Sequence, residues 1–353
     1  MAADLNTRDS MKALDPKGML ELIEGFPAQC REGLAIGMSA EVSDLEARPG
    51  VVALSGMGGS AAGGDFVRAL FEEHGSSPFI VIRDYTLPNY FGVGDLVFIA
   101  SYSGNTEETL SVYEAAKHSG ARIIAVTSGG EVEKRATEDG YLVVKVPGGQ
   151  PPRASLGYML MPVIALCQKL KLIPEQDYAA AFDRLDEVSA EYGVDAPDND
   201  AKKLAAEMVG KVGVCYGLGT YKGYIANRWR CQFNENAKYL LFNNAFPELC
   251  HNEIMGWVAA EKQAPAYAGI ILQDGTESEN MKVRADVTAK VIGEDKAHFH
   301  RVDARGETLL ERMLSLTFIG DWVSIYLARL NEVDPTEIEN IDTLKAELAK
   351  LGK

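Results

Sequence analysis

Five short apolar runs recur between residues 50 and 146: "VVAL" from Val51, "FIVI" from Phe79, "LVFIA" from Leu96, "RIIAVT" from Arg122 and "YLVVKV" from Tyr141. They alternate with helical patterns, and each is apolar on both faces, as parallel strands are when helices cover the sheet from both sides. This predicts one doubly wound, flavodoxin-like α/β unit over residues 50–150. Two of the strands feed polar turns that open helices: "SGMGGSAAGG" after the first run and "SYSGNTEET" after the third.

A weaker alternation starts near residue 200, where "DAPDND" interrupts a helical stretch and "KVGVCYGLG" reads as a strand entering a glycine turn. "PAYAGIILQD" and "HFHRVDA" read as further strands around the helical "ESENMKVRADVTAKVIGE". The fold class that follows is α/β with two doubly wound parallel-sheet subdomains and helical connections. The divisions are a helical segment over 1–49, a first subdomain over 50–150, a helical connection over 151–199 and a second subdomain over 200–353. The run "LLERMLSLTFIGDWVSIYLARL" makes a long helix with few polar faces, fit for a core or a subunit interface.

At 353 residues and 46% hydrophobic, the chain can fill substantial cores. No apolar run approaches the roughly 20 residues that cross a bilayer, and "MAADLNTRDSMKALD" lacks the apolar centre of a signal peptide. A cytoplasmic protein with no membrane partner is expected. The formal charge of −16 repels nucleic acid, so no nucleic-acid partner is expected and an anionic ligand needs a locally favourable pocket. The five cysteines form no CxxC pair and suggest neither a disulfide framework nor zinc.

The two polar turns carry the chemistry. Gly56, Gly58 and Ala61 fit the dinucleotide pattern GxGxxA, but the acidic residue expected roughly 20 positions on is missing; Asp84 comes too late. In an open parallel sheet, ligands bind beyond the carboxyl ends of the strands. The first and third runs there present Ser60 and Ser101, Ser103 and Thr106. Hydroxyls with free helix-start N–H groups suit a terminal phosphate, whereas a dinucleotide needs no second hydroxyl cluster. For Ser103 and Thr106, capping of the helix is the plainer reading for at least one of the two. The pair His298 and His300 has no matching carboxylate pattern, so no metal is expected, and with the ribose acid missing no cofactor is expected either.

The ordered motifs "SGMGGS", "SYSGNTEET", "PPRAS", "NENAK", "PELCHNE" and "IDTLK" resemble the bifunctional phosphoglucose/phosphomannose isomerases, members of the sugar isomerase (SIS) domain superfamily. The resemblance implies two SIS subdomains and a dimeric, metal-independent enzyme that interconverts glucose 6-phosphate and mannose 6-phosphate with fructose 6-phosphate. It assigns the phosphate to Gly59, Ser60, Ser101, Ser103 and Thr106, oxyanion stabilisation to Arg153, and the proton transfer of a cis-enediol mechanism to Glu235. It gives ring opening to His251, donated to the neighbouring subunit's site, and sugar binding with a second ring-opening role to Lys345. Cys250 stands where some relatives carry a second histidine, and Ile338 where at least one carries threonine. Two other classes remain open: a sugar-phosphate-binding SIS protein without catalysis, and a nicotinamide-dependent oxidoreductase.

The residues themselves support part of this assignment. Tyr221, Ile225, Trp229 and Phe233 recur every four positions as one helical stripe, and Glu235 lies off that stripe, free to face a cleft. Lys345 falls in "TLKAELAKLGK", which reads equally well as a charged amphipathic tail.

Overall fold

The computed structural model describes residues 4–350 except 44, 46, 260, 261, 263 and 294–297. The first sheet contains β1 (Val52–Ser55), β2 (Phe79–Ile82), β3 (Leu96–Ser101), β4 (Arg122–Thr127) and β5 (Leu142–Lys145). All pairs are parallel, in the order β2-β1-β3-β4-β5. Every residue of β1 and β3 is buried, which explains why the central runs are apolar on both faces, while the edge strands β2 and β5 are only partly buried.

The second sheet contains β6 (Val212–Leu218), β7 (Leu241–Phe246), β8 (Tyr267–Gln273) and β9 (His298–Asp303), again parallel, in the order β7-β6-β8-β9. The two orders are alike: each sheet grows outward in both directions from its first strand. The sequence reading missed β7. Its segment "LFNNAF" carries two asparagines, and Phe242 is exposed, because a strand at a sheet edge need bury only part of its surface.

Between the sheets runs one hydrophobic core fed by both halves. The helix Leu156–Lys169 packs on the N-terminal helix Phe26–Ser39, and the helix Leu309–Leu330 packs on the helix Thr220–Ala237. The stripe read from the sequence is the buried face of that last helix: Ile225, Trp229 and Phe233 are at most 1% exposed and Tyr221 is partly buried. Trp229 stacks on Phe233 and donates from Nε1 to the Leu316 carbonyl at 2.9 Å.

The helix Leu309–Leu330 is core. By length and composition it could cross a membrane, against the sequence reading that no apolar run approaches such a length, but 89% of its apolar window is buried inside the protein. A Thr308–Glu311 capping box fixes its start.

Gly320 is where this helix meets Trp229, and a Cβ there would collide with the indole ring. Gly320→Ala is therefore expected to destabilise the fold by about 1–3 kcal/mol through overpacking. A urea midpoint equal to that of the wild type would show that the two helices separate more freely than their contact suggests.

Candidate active site

The first crevice opens at the switch point of the first sheet, where the chain leaves β1 toward β2 on one side and later returns to β3 on the other. β1 ends in Ser55 and feeds the helix Gly58–His74; β3 ends in Ser101 and feeds the helix Glu107–Ser119. The turns between them converge. Tyr102 donates its backbone N–H to Ser60 Oγ at 3.3 Å, Ser101 Oγ and Thr106 Oγ1 lie 2.9 Å apart, and Gly104 donates its N–H to Ser101 Oγ at 3.1 Å.

Thr106 occupies the N-cap position of its helix, yet its side chain makes no cap hydrogen bond. Ser103 is exposed, and its hydroxyl accepts from the Asn105 N–H at 3.3 Å, closing the turn rather than capping the helix. The capping alternative thus accounts for neither hydroxyl.

Gly59 connects this crevice to the arginine. A Cβ at Gly59 would collide with the Pro152 carbonyl, so only glycine lets the helix start lie against the short 3-10 turn Pro152–Ala154. Arg153 projects from that turn and is 3% exposed; it is a buried cation, against the usual expectation of a surface arginine. Nε donates to Asn236 Oδ1 at 2.7 Å and NH2 to the Pro335 carbonyl at 2.6 Å, while NH1 reaches Glu235 Oε2 at 3.4 Å. Burial lowers the guanidinium's pKa and Glu235 opposes that shift. Because it starts so high, it stays charged at neutral pH.

Glu235 and Asn236 sit in the last turn of the helix Thr220–Ala237, so neighbouring residues of one turn hold one guanidinium from two sides. Glu235 keeps 29% of its side chain exposed, with one carboxylate oxygen toward Arg153. The helix ends at Lys238, which is left-handed at φ 49°. Its ammonium donates to the carbonyls of Glu235 (2.9 Å), Asp334 (2.6 Å) and Glu337 (2.8 Å). This lysine fastens the acid's backbone to the segment that leads into the C-terminal helix Glu339–Ala349.

Beneath the site lies a fully buried polar layer. Arg228 donates to the Arg153 carbonyl at 2.8 Å and to Asp321 Oδ1 at 3.3 Å; Gln232 donates to the same carboxylate at 2.7 Å. Asn236 Nδ2 donates to Ser324 Oγ at 3.0 Å. Burial pushes the Asp321 carboxyl up, and Arg228 counters it. Sequence reading missed Asn236, Lys238, Arg228 and Asp321. The one signal was that Asn236 and Lys238 fall inside the "NENAK" motif; Asp321 lies in an apolar helix that offers no cue to its role.

Gly59, Ser60, Ser101, Thr106, Arg153 and Glu235 are thus drawn together by direct contacts or short chains of them, while His251 and Lys345 are not. His251 ends the 3-10 turn Glu248–His251 and is exposed. It follows β7, whose six residues span roughly 17 Å. Glu235 lies near the start of that strand, where Asn234 Oδ1 accepts the Leu241 N–H at 3.0 Å, so His251 lies beyond the opposite, carboxyl end of the same edge strand. Lys345 is 68% exposed on the Glu339–Ala349 helix and faces Asp342 at 3.9 Å. Among the described residues, no group of three or more His, Cys, Asp or Glu side chains is placed to hold a metal ion.

Two parallel subdomains with a polar crevice at the switch point of the first define a class, and the comparisons agree with it. Residues 48–147 match the SIS domain family, and residues 197–348 match the bacterial phospho-glucose isomerase C-terminal SIS domain. A hypothetical protein of Thermus thermophilus, solved by crystallography, shares the fold with a TM-score of 0.75 at 16% identity, covering 97% of this chain and 93% of its own. Among curated relatives, the bifunctional phosphoglucose/phosphomannose isomerase of Caldicellulosiruptor bescii is 37% identical over 94% of this chain and 99% of its own. That of Aquifex aeolicus is 34% identical over 94% of this chain and 98% of its own. The chain belongs to the bifunctional phosphoglucose/phosphomannose isomerase family and is an isomerase.

Replacing Asn236 by Ala leaves the Arg153 Nε–H without its acceptor where neither residue meets solvent. Asn236→Ala is expected to cost about 1–3 kcal/mol of stability, read from denaturant midpoints. A shift below a few tenths of a kcal/mol would mean that the guanidinium finds another acceptor.

Proposed function

We propose that the enzyme interconverts glucose 6-phosphate and mannose 6-phosphate with fructose 6-phosphate through a cis-enediol, without a metal. The observation that carries the reading is the Arg153–Glu235 pair, held against the glycine that opens the hydroxyl-rich crevice. The substrate phosphate is held by the free N–H groups at the start of the Gly58–His74 helix and by Ser60, Ser101, Ser103 and Thr106. That grip fixes the sugar's far end, so binding energy goes into aligning C1 and C2.

Glu235, with one carboxylate oxygen toward Arg153, takes the proton from C2 of the open aldose and returns it to C1; the reverse reaction removes it from C1 of the ketose. As the carbonyl becomes an enediolate, charge grows on its oxygen, and the NH1 edge of Arg153 stabilises it without reorienting, because Asn236 and Pro335 already fix the fork. His251 of a neighbouring subunit opens the ring, with Lys345 as a sugar ligand and second ring-opening group. Three exposed apolar groups favour such an assembly: Met255 and Val258 just after His251 in the chain, Leu240 and Phe242 at the start of the edge strand, and Ile341, Leu344 and Leu348 on the Lys345 helix.

Glu235→Gln is expected to lower turnover of fructose 6-phosphate by ~10²–10⁴-fold while calorimetry still detects binding. Near-normal turnover would remove Glu235 from the chemistry. In heavy water, the wild type should place deuterium at C1 of fructose 6-phosphate and at C2 of the aldoses, whereas a direct hydride shift would leave both unlabelled.

Subunit sharing is tested by mixing. Glu235→Gln and His251→Ala homodimers, each inactive, should regain about a quarter of wild-type activity when subunits exchange, because half the dimers then carry one intact site of two. No recovery after demonstrated exchange would place His251 in its own subunit's site.

A further inference from the structure

The switch point of the second sheet lies between β6 and β8, the counterparts of β1 and β3, and it is already filled. β6 ends in Leu218 and feeds the helix Thr220–Ala237, whose third residue is Lys222; β8 ends in Gln273 and is followed by Asp274, Gly275, Thr276 and Glu277. Ser60 and the Ser101–Thr106 cluster hold the same places in the first half. Lys222 Nζ lies 2.9 Å from Asp274 Oδ2 and 3.0 Å from Glu277 Oε1, and Arg312 Nε lies 3.5 Å from Asp274. Tyr221 also donates its hydroxyl to Asp274, and the Asp274 N–H donates to Glu277 at 2.7 Å.

The side chains of Asp274, Glu277 and Lys222 are 1%, 4% and 5% exposed. Two anions and two cations cancel, which is the condition under which four charges can leave water together. Burial works against the Asp274 charge, but the hydrogen bonds from Tyr221, Thr276 and Lys222 outweigh it and hold the carboxyl below its usual range.

We propose that Asp274 and Glu277 are the built-in anions of this second crevice and decide that only the first crevice accepts a phosphorylated sugar. A helix start, a lysine and an arginine would otherwise converge there on any oxyanion. The carboxylates instead engage Lys222 and the Tyr221 hydroxyl within the chain and face Arg312 across 3.5 Å, and they also pin the N-terminal end of the helix whose last turn carries Glu235. The clause on the first crevice rests on the function proposed above.

The test counts inorganic phosphate by calorimetry and by thermal shift for the wild type and for the double variant Asp274→Asn/Glu277→Gln, which removes both charges with little change in shape. The variant is expected to bind one phosphate per chain more than the wild type. Its melting temperature, lowered in phosphate-free buffer, should rise with phosphate more steeply than the wild type's and should not respond to equal ionic strength of chloride. The increment carries the inference: were the first crevice not a phosphate site, the counts would be zero and one instead of one and two.

A folded variant with no added phosphate dependence would overturn the proposal, and so would a wild type that already binds the extra ion. Should the double variant fail to fold, Glu277→Gln alone, which keeps Asp274 on both cations, serves as the second arm. It should show the same added phosphate dependence at lower affinity, and its absence would likewise overturn the proposal.

Discussion

A buried guanidinium must be satisfied on every side, and Arg153 is satisfied only by groups from the far half of the chain. Its partners are Glu235, Asn236 and the Pro335 carbonyl, 82, 83 and 182 residues away. Stranding that charge would cost several kcal/mol, far more than a surface pair gains. Closure of the two halves and assembly of the site are therefore one event. A chain that has not packed its second half onto its first has neither a partnered Arg153 nor a positioned Glu235.

The hierarchy around that cation is readable in the packing. Gly59 lets the helix start approach the Arg153 turn, Arg228, itself bonded to Asp321, holds the turn's carbonyl from below, and Lys238 ties the acid's helix end to the segment beyond Asp334. Each contact joins elements distant in sequence, and most are buried, where hydrogen bonds are worth more and misplacement costs more. Rigidity of this kind suits the proposed reaction, in which a proton moves between adjacent carbons while the rest of the substrate stays still.

The duplicated fold shows how one architecture can serve two ends. Both sheets place their switch point beneath a helix start, where donors converge by geometry alone. The first half lines that point with neutral hydroxyls, Ser60 and Ser101 buried and Ser103 exposed, which need no counter-charge. The second lines it with opposite charges that neutralise one another, and so turns a place for a ligand into a strut of the core.

The sequence by itself determined most of the elements and the family. Two-sided apolar runs imply buried parallel strands, and the stripe Ile225–Trp229–Phe233 implies a helix with Glu235 off its packed face, because those periodicities are set by local backbone geometry. Motif resemblance singled out Arg153 and Glu235, and the family match agrees with that resemblance. The edge strand "LFNNAF", the burial of Arg153, the acceptor role of Asn236 and the pairing of Lys222 with Asp274 and Glu277 were decided only by the tertiary structure. A residue's charge is written in the chain, but whether that charge meets water, a ligand or another residue depends on contacts between segments that no local pattern encodes.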